Sequence, residues 1–291
     1  MWEKAKQCEM EEVISFLKKR EWCCVPFTSR IVLKENTISL SGKDKILINR
    51  NQAEGTINDA VLLSGYGMVV PVLNLKQGES RQMFYTLEKL LNNNTRSIRV
   101  IMGKKEYVLI LESLLSSIPS VCVNYYLMKY DKRQSLQPII SSVKKLKIKR
   151  AHPKEALTLF PLQKDYEKEE VLLDPANFNP AQSYFLFEKS LKEQLVFMAE
   201  LNGKPVSKAG TNSRGLVYDQ LGGIYTKKEY RNRGIAKALL RVLLNEICNQ
   251  GKRACLFVKK NNKPAINLYL SLGFEFCGDF RISYFNRKAQ G

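Results

Sequence analysis

The sequence predicts an α/β (α+β) protein in two parts, and three observations lead there. Its 291 residues suffice for two domains of ordinary size. Hydrophobic residues make up 44% and charged residues 26%, the balance of a globular chain rather than a disordered one. Strand-like and helix-like periodicities alternate along the chain, and the stretch 131–142, with Gln, Ser and one Pro, reads as a linker. The expected domains are 1–140 and 144–291.

In the first part, Val13, Ile14, Phe16 and Leu17 recur among charges with helical spacing. The apolar run 22–33 reads as extended, interrupted by Pro26. Short strands follow at 37–40, 46–49, 60–63 and 67–73, with Gly42, Gly55 and Gly65 at the turns. Met83, Phe84, Leu87, Leu90 and Leu91 mark an amphipathic helix over 79–93, followed by a strand at 97–102, a helix at 104–117 and a strand at 121–130.

The second part opens with a strand at 145–151. Pro153 suits the first turn of a helix running to 166, and Asn179-Pro180 opens another to 193. Strands 195–201 and 206–211 flank Asn202-Gly203, a strong hairpin signal. A strand at 217–226 leads into a helix from Gly234 to 249, stopped by Gly251. A strand at 253–258, a helix at 264–272 and terminal strands from Phe274 complete the chain. Both parts share the order hairpin, strand, helix, strand, helix, strand. This suggests that the first is a degenerate copy of the second, although ordinary α/β alternation produces the same order by chance.

Composition excludes several functions. No apolar run approaches the roughly 20 residues of a membrane span, and the charged start MWEKAKQCEMEE lacks the apolar stretch of a signal peptide, so the expectation is a cytoplasmic protein. Seven cysteines without a Cys-x-x-Cys pair argue against a disulfide framework or a zinc site, and a lone histidine, His152, argues against a His-based metal site or a Ser-His-Asp triad. The net charge of +19 admits an anionic partner, but the basic residues are scattered. The one dense run, 144–150, alternates with Leu146 and Ile148 as a half-buried strand does, so nucleic acid is not the favoured partner.

The segment 222–236, GGIYTKKEYRNRGIA, carries the chemistry. A β-branched strand ends at Thr226, a polar loop follows, and a helix starts at Gly234. The first amides of a helix have no internal partner and the helix dipole adds positive charge, so an anion is favoured there. Gly234 permits close approach, Ala236 keeps the first turn uncrowded, and Lys227, Lys228, Arg231 and Arg233 add cations. These features fit a pyrophosphate, although a basic surface turn would carry the same letters. Walker and dinucleotide fingerprints are absent.

The segment resembles the GNAT superfamily of N-acetyltransferases, whose [R/Q]-x-x-G-x-[G/A] signature is met by Arg231, Gly234 and Ala236. A second stretch, 256–274, matches the superfamily's later motif through Asn262, Ala265, Leu268, Tyr269, Leu272, Gly273 and Phe274. The resemblance covers about residues 144–286. It implies a mixed central sheet flanked by helices, with the fourth and fifth strands splayed to admit the pantetheine arm. It also implies a cofactor, acetyl-CoA, held by Ile224, Tyr225 and Thr226, by the loop Arg231, Asn232, Arg233, Gly234, Ile235 and Ala236, and by Asn262 and Tyr269. The implied reaction is direct attack by a primary amine, on a small molecule or a protein, within a ternary complex.

Tyr269 is the residue that the resemblance makes general acid; its alternative reading is packing on an amphipathic helix with Leu268 and Leu272. No general base announces itself. Asp219 is the tentative candidate and Glu200 a second, since both lie on predicted strands. The first part resembles accessory domains of two-domain superfamily members. Its counterpart loop, 75–80, lacks the signature and is expected to bind no CoA, leaving that domain to wall the acceptor cleft, dimerise or recognise a partner. Trp22, Phe27 and Tyr66 could line an acceptor site or belong to the core. A CoA-binding sensor without turnover and a basic nucleic-acid-binding protein remain as alternatives.

Overall fold

The computed structural model describes residues 2–34, 37–51, 53–75, 84–93, 98–132, 143–172 and 174–285. In chain order its strands and helices begin with β1 (Glu3–Lys4), α1 (Met10–Lys18), α2 (Val25–Thr28), β2 (Ile31–Lys34), β3 (Thr37–Leu40), β4 (Lys45–Arg50), β5 (Ile57–Leu63) and β6 (Met68–Val72). Then come α3 (Tyr85–Asn92), β7 (Val100–Lys104), α4 (Lys105–Leu114), β8 (Val121–Tyr130), β9 (Leu146–Arg150), α5 (Ala156–Tyr166) and α6 (Pro180–Glu193). β10 (Val196–Leu201), β11 (Lys204–Arg214), β12 (Tyr218–Thr226), α7 (Ile235–Asn249), β13 (Arg253–Lys259), α8 (Lys263–Leu272) and β14 (Glu275–Tyr284) complete the chain. No helix among the described residues is long and apolar enough to cross a membrane.

The chain forms two compact units. One comprises Met1–Met128, Phe257–Ala265 and Glu275–Gly291; the other comprises Lys129–Leu256 and Ile266–Phe274. This division does not follow the expected boundary at 140–144. The last strand, expected within 144–291, pairs antiparallel with β7 of the first unit, Phe280 opposite Lys104 and Tyr284 opposite Val100. Burial supports the pairing: Phe280 is buried and stacks on Phe257 at 4.7 Å, and Arg281 forms a two-pronged bond to Glu112 of α4.

In the first unit, β4, β5 and β6 form an antiparallel meander and β6 then pairs in parallel with β7. Parallel strands need a crossover, and α3 lies within this one. The run 22–33, expected to be extended, instead contains α2 before β2 begins at Ile31. Pro26 sits in the first turn of α2, where its missing N–H costs nothing. Phe27 is fully buried, whereas Tyr66 is exposed beneath the Arg30 guanidinium at 5.8 Å. The loop 75–80 and the linker 131–142 lie largely outside the described residues.

The second unit repeats the pattern. β9, β10, β11 and β12 are antiparallel neighbours, and β12 then pairs in parallel with β13 after the crossover helix α7. Asn202 and Gly203 both take positive φ, as the tight β10–β11 hairpin requires. α5 and α6 cover one face, where Leu159, Leu162, Phe187 and Leu191 meet Val196, Met198 and Tyr225. α7 packs on the same strands from the other face through Leu239, Leu240, Leu243 and Ile247, all fully buried. The result is a mixed sheet between helices, as expected.

Asp219 has a structural task rather than a catalytic one. Its side chain is fully buried at the start of β12, bonded to Arg214 Nε at 3.1 Å and Lys252 Nζ at 3.0 Å. Both carboxylate oxygens are thereby engaged, and no edge faces an incoming amine. Glu200 is likewise paired, with Lys149 at 3.1 Å. Replacing Asp219 leaves two partly buried cations without their partner, a change that costs about 3 kcal/mol at sites of this kind. Asp219→Asn is therefore expected to lower the unfolding free energy by about 3 kcal/mol, and the urea midpoint with it. Unchanged stability in urea denaturation would contradict the structural assignment.

Candidate active site

The site is built around an irregularity in the β11–β12 ladder. Lys208 faces Tyr225 and Gly210 faces Gly222, so β12 advances three residues where β11 advances two. The extra residue is a bulge at Gly223-Ile224, which bends the strand and redirects its backbone groups. Gly223 takes φ +62°, and Gly222 has no room for a side chain, because a Cβ there would lie 2.0 Å from the Asn212 amide. Glycine at 223 meets the backbone's left-handed conformation, and glycine at 222 leaves room for the Asn212 side chain.

The Gly223 carbonyl accepts a bond from Lys208 Nζ at 2.7 Å, and the Gly223 amide is near enough to the Tyr166 hydroxyl to lower its pKa. Lys208 is only 2% exposed, with its Nζ 4.4 Å from the centre of the Tyr166 ring and 5.9 Å from that of Phe187. Burial pushes its pKa down to about 7, opposed by the Glu167 carboxylate. Glu167 is in turn bonded by Gln163 and Ser183. A cleft of about 110 Å³ opens at this point, lined by Gln163, Tyr166, Lys208, Thr211, Asn212 and Gly223 among others.

Tyr269, on α8, is buried beside the Phe274 ring at 5.8 Å. Burial raises its pKa strongly, and the nearby Tyr166 and Glu170 push in the same direction. Its hydroxyl therefore keeps its proton at neutral pH. Tyr166 is pushed up to about 12, mainly by burial, with the Gly223 amide pulling the other way.

The predicted anion loop stands at the start of α7. Gly234 is the N-cap in a left-handed conformation, φ +74°, no side chain caps the helix, and a Cβ added there would meet only open space. Asn232 also has positive φ, and residues 231–234 are exposed. Ile235 is buried in the core, so only the backbone of that residue could face a ligand. Arg233 lies over the Tyr230 ring at 5.5 Å.

Arg231 is already engaged. Its Nε donates to the Thr226 carbonyl at 2.9 Å, its NH2 to Glu169 at 3.0 Å, and its guanidinium covers the Tyr225 ring. Glu169 also accepts from the Tyr225 hydroxyl and pairs with Lys228 at 3.3 Å. Burial raises the pKa of Glu169, but bonds from Tyr225, Arg231 and Lys228 outweigh it and leave the carboxyl below its ordinary range. This carboxylate sits on a π-helical turn, Glu167–Val171, just beyond the helix end expected at 166.

Along β12 the parallel ladder to β13 runs from Tyr218 opposite Arg253 to Gln220 opposite Cys255, whereas β12 continues to Thr226. Ile224 is half-buried and Tyr225 is core, its side chain turned away into the α5–α6 face. Thr226 bonds Ser207 through its hydroxyl. Asn262 caps α8, its side-chain oxygen accepting the Ala265 amide at 3.2 Å. Sequence reading missed Lys208, Tyr166 and Glu169. A lysine inside a strand reads as solvated, and the only hint was that Lys208 sits in the second strand of a predicted hairpin, among small and apolar neighbours.

Residues 160–274 match the Acetyltransferase (GNAT) family. A Drosophila protein of known structure aligns over 99% of this chain and 99% of its own, with a TM-score of 0.66 at 12% identity. A GCN5-related N-acetyltransferase from Sphaerobacter thermophilus aligns over 99% and 96%, with a TM-score of 0.57 at 10% identity. A tandem GNAT protein from the clavulanic acid biosynthesis pathway aligns over 100% and 99%, with a TM-score of 0.52 at 10% identity. At these identities the likeness is one of fold. No curated protein matches the sequence. With the strand–loop–helix signature and the later motif both inside the matched segment, the C-terminal half of the chain carries a GNAT-superfamily acetyltransferase domain.

Proposed function

We propose that this chain is an N-acetyltransferase that moves an acetyl group from acetyl-CoA to a primary amine by direct attack in a ternary complex. The observation that carries the reading is the uncapped, left-handed Gly234 at the start of α7, beside a β12 that outruns its parallel ladder. The residues fit the cofactor: open space in front of Gly234 admits a pyrophosphate to the first free amides of α7. Glu169 opposes this by holding Arg231 and Lys228, so the backbone amides and Arg233 are left as the principal anion ligands. Beyond Gln220, β12 offers backbone groups of Ile224 and Thr226 to an extended ligand that pairs as a strand does.

Acetyl-CoA, when bound, supplies an activated thioester. The chain's own residues hold and move the protons. Tyr269 Oη carries a proton that a departing thiolate can take, and its high pKa keeps that proton in place until a strong base forms beside it. The cleft at Gly223 is lined by the rings of Tyr166 and Phe187 together with polar side chains such as Gln163 and Asn212, which suits an uncharged amine more than an ammonium. The general base is not Asp219, for the reasons given by its ion pairs.

The test is thiol release from acetyl-CoA across a panel of amines and peptides. A chain that binds CoA yet releases no thiol with any acceptor would be a sensor rather than an enzyme. Tyr269→Phe preserves the ring and is expected to lower turnover by about 10²–10⁴-fold with CoA binding retained. Equal loss of both would make Tyr269 a packing residue only. Gly234→Ala forces a Cβ into a left-handed conformation at a cost of about 1–2 kcal/mol and places a methyl before the helix amides. CoA affinity by titration calorimetry is expected to fall by about tenfold or more; unchanged affinity would remove the pyrophosphate from this loop.

A further inference from the structure

We infer that Lys208 is the proton acceptor of the reaction, taking the proton that the attacking amine must lose. The inference rests on the acetyltransferase reading and deepens it at the same site. Its ground is geometric. Lys208 lines the cleft, its Nζ tethered at 2.7 Å to the carbonyl of Gly223 and lying 4.4 Å from the centre of the Tyr166 ring. Tyr166 is close enough to Tyr269 to influence its ionisation. The Tyr166 side chain thus stands near both the buried amine and the proposed acid.

The alternatives for such a lysine are weaker. An acylated Nζ would be an amide, a dead end rather than a transfer intermediate, so Lys208 is no covalent relay. An anion-binding lysine needs a full charge and free donors. This one is enclosed by the Tyr166 and Phe187 rings, has spent one donor on a carbonyl, and is desolvated enough to titrate near 7. A neutral amine in that position keeps one N–H on Gly223 and has a lone pair to offer.

The groups that face it are the Tyr166 hydroxyl and ring from α5, the Phe187 ring from α6, the Glu167 carboxylate from the π-helical turn, and the Gly223 carbonyl from β12. Of the charged groups, Glu167 alone favours the ammonium form, and it is shared with Gln163 and Ser183.

The step balances as follows. The acceptor nitrogen bonds to the acyl carbon and the C–S bond breaks. The proton on that nitrogen passes to Lys208 Nζ, and the thiolate takes the proton of Tyr269 Oη. Lys208 then returns its proton to solvent and Tyr269 is reprotonated, leaving amide and thiol.

The sign of the pH dependence follows. Activity needs neutral Lys208, so kcat/KM rises with pH through about 7 and levels above it until the acceptor's own ionisation intervenes. Two measurements test this on the full chain. In the first, [ε-¹³C]lysine NMR follows every lysine against pH; one resonance is expected to titrate near 7 and to be missing in Lys208→Met. If no resonance lost in that variant titrates well below the ordinary lysine range, the inference is overturned.

In the second, Lys208→Met, which removes a buried amine and keeps the chain length, is expected to lower kcat/KM by about 10²–10⁴-fold. It should abolish the limb near 7 while CoA binding and the melting temperature hold. Lys208→Arg, which cannot deprotonate, is not expected to restore activity. A Lys208→Met enzyme that keeps the limb, whether at full rate or with only a raised KM, overturns the inference and leaves the acetyltransferase reading intact. A wild-type chain that binds CoA and turns over no amine overturns both.

Discussion

A strand with one residue more than its partner must bend, and β12 bends at Gly223. The arrangement of the second unit around the cleft depends on that bend. A regular ladder would point the Gly223 carbonyl at a neighbouring strand; the bulge releases it, and the Lys208 side chain from β11 takes it up. Gly222 allows the Asn212 side chain to lie against the backbone, so the bent segment is packed rather than loose. A larger residue at 222 would have to displace Asn212, and one at 223 would have to adopt a left-handed conformation 3.2 Å from Lys208 Nζ.

From that bend two consequences run in opposite directions along the chain. Toward the N-terminus of β12 the ladder to β13 is regular, and Asp219 closes it with a buried pair of ion bonds. Toward the C-terminus β12 leaves its parallel ladder and delivers the chain to Gly234. The stiff end and the open end belong to one strand. Asp219 could not serve as a base for this reason: it belongs to the end that is built to be closed.

Much of this was legible in the sequence, and what was not has physical causes. β8 and the Asn202-Gly203 turn follow from local pattern, because alternation and positive φ are properties of a few adjacent residues. The uncapped helix start at Gly234 was legible for the same reason. The pairing of β14 with β7 is a contact between residues remote in sequence, and nothing in either strand's own pattern encodes it. Pro26 misled the reading of 22–33, since the residue that breaks a strand is also at ease in a helix's first turn. Asp219 stood as a tentative base and Lys208 was not singled out, because burial of a charged residue on a strand depends on what packs over it. Both are buried, one paired by cations and the other stripped of water.

The same loss of water acts with opposite effect on Tyr269 and Lys208. Desolvation disfavours whichever form is charged. For Tyr269 the charged form is the phenolate, so burial fixes the proton on the oxygen; for Lys208 it is the ammonium, so burial loosens the proton from the nitrogen. For the proposed reaction, burial thus prepares a proton donor and a proton acceptor by one physical cause. A carboxylate in the same place would hold Lys208 as an ammonium, although it would also help to keep the proton on Tyr269, as Glu170 does. Glu167 sits near enough to exert the first effect, and the bonds from Gln163 and Ser183 draw its charge away from Lys208.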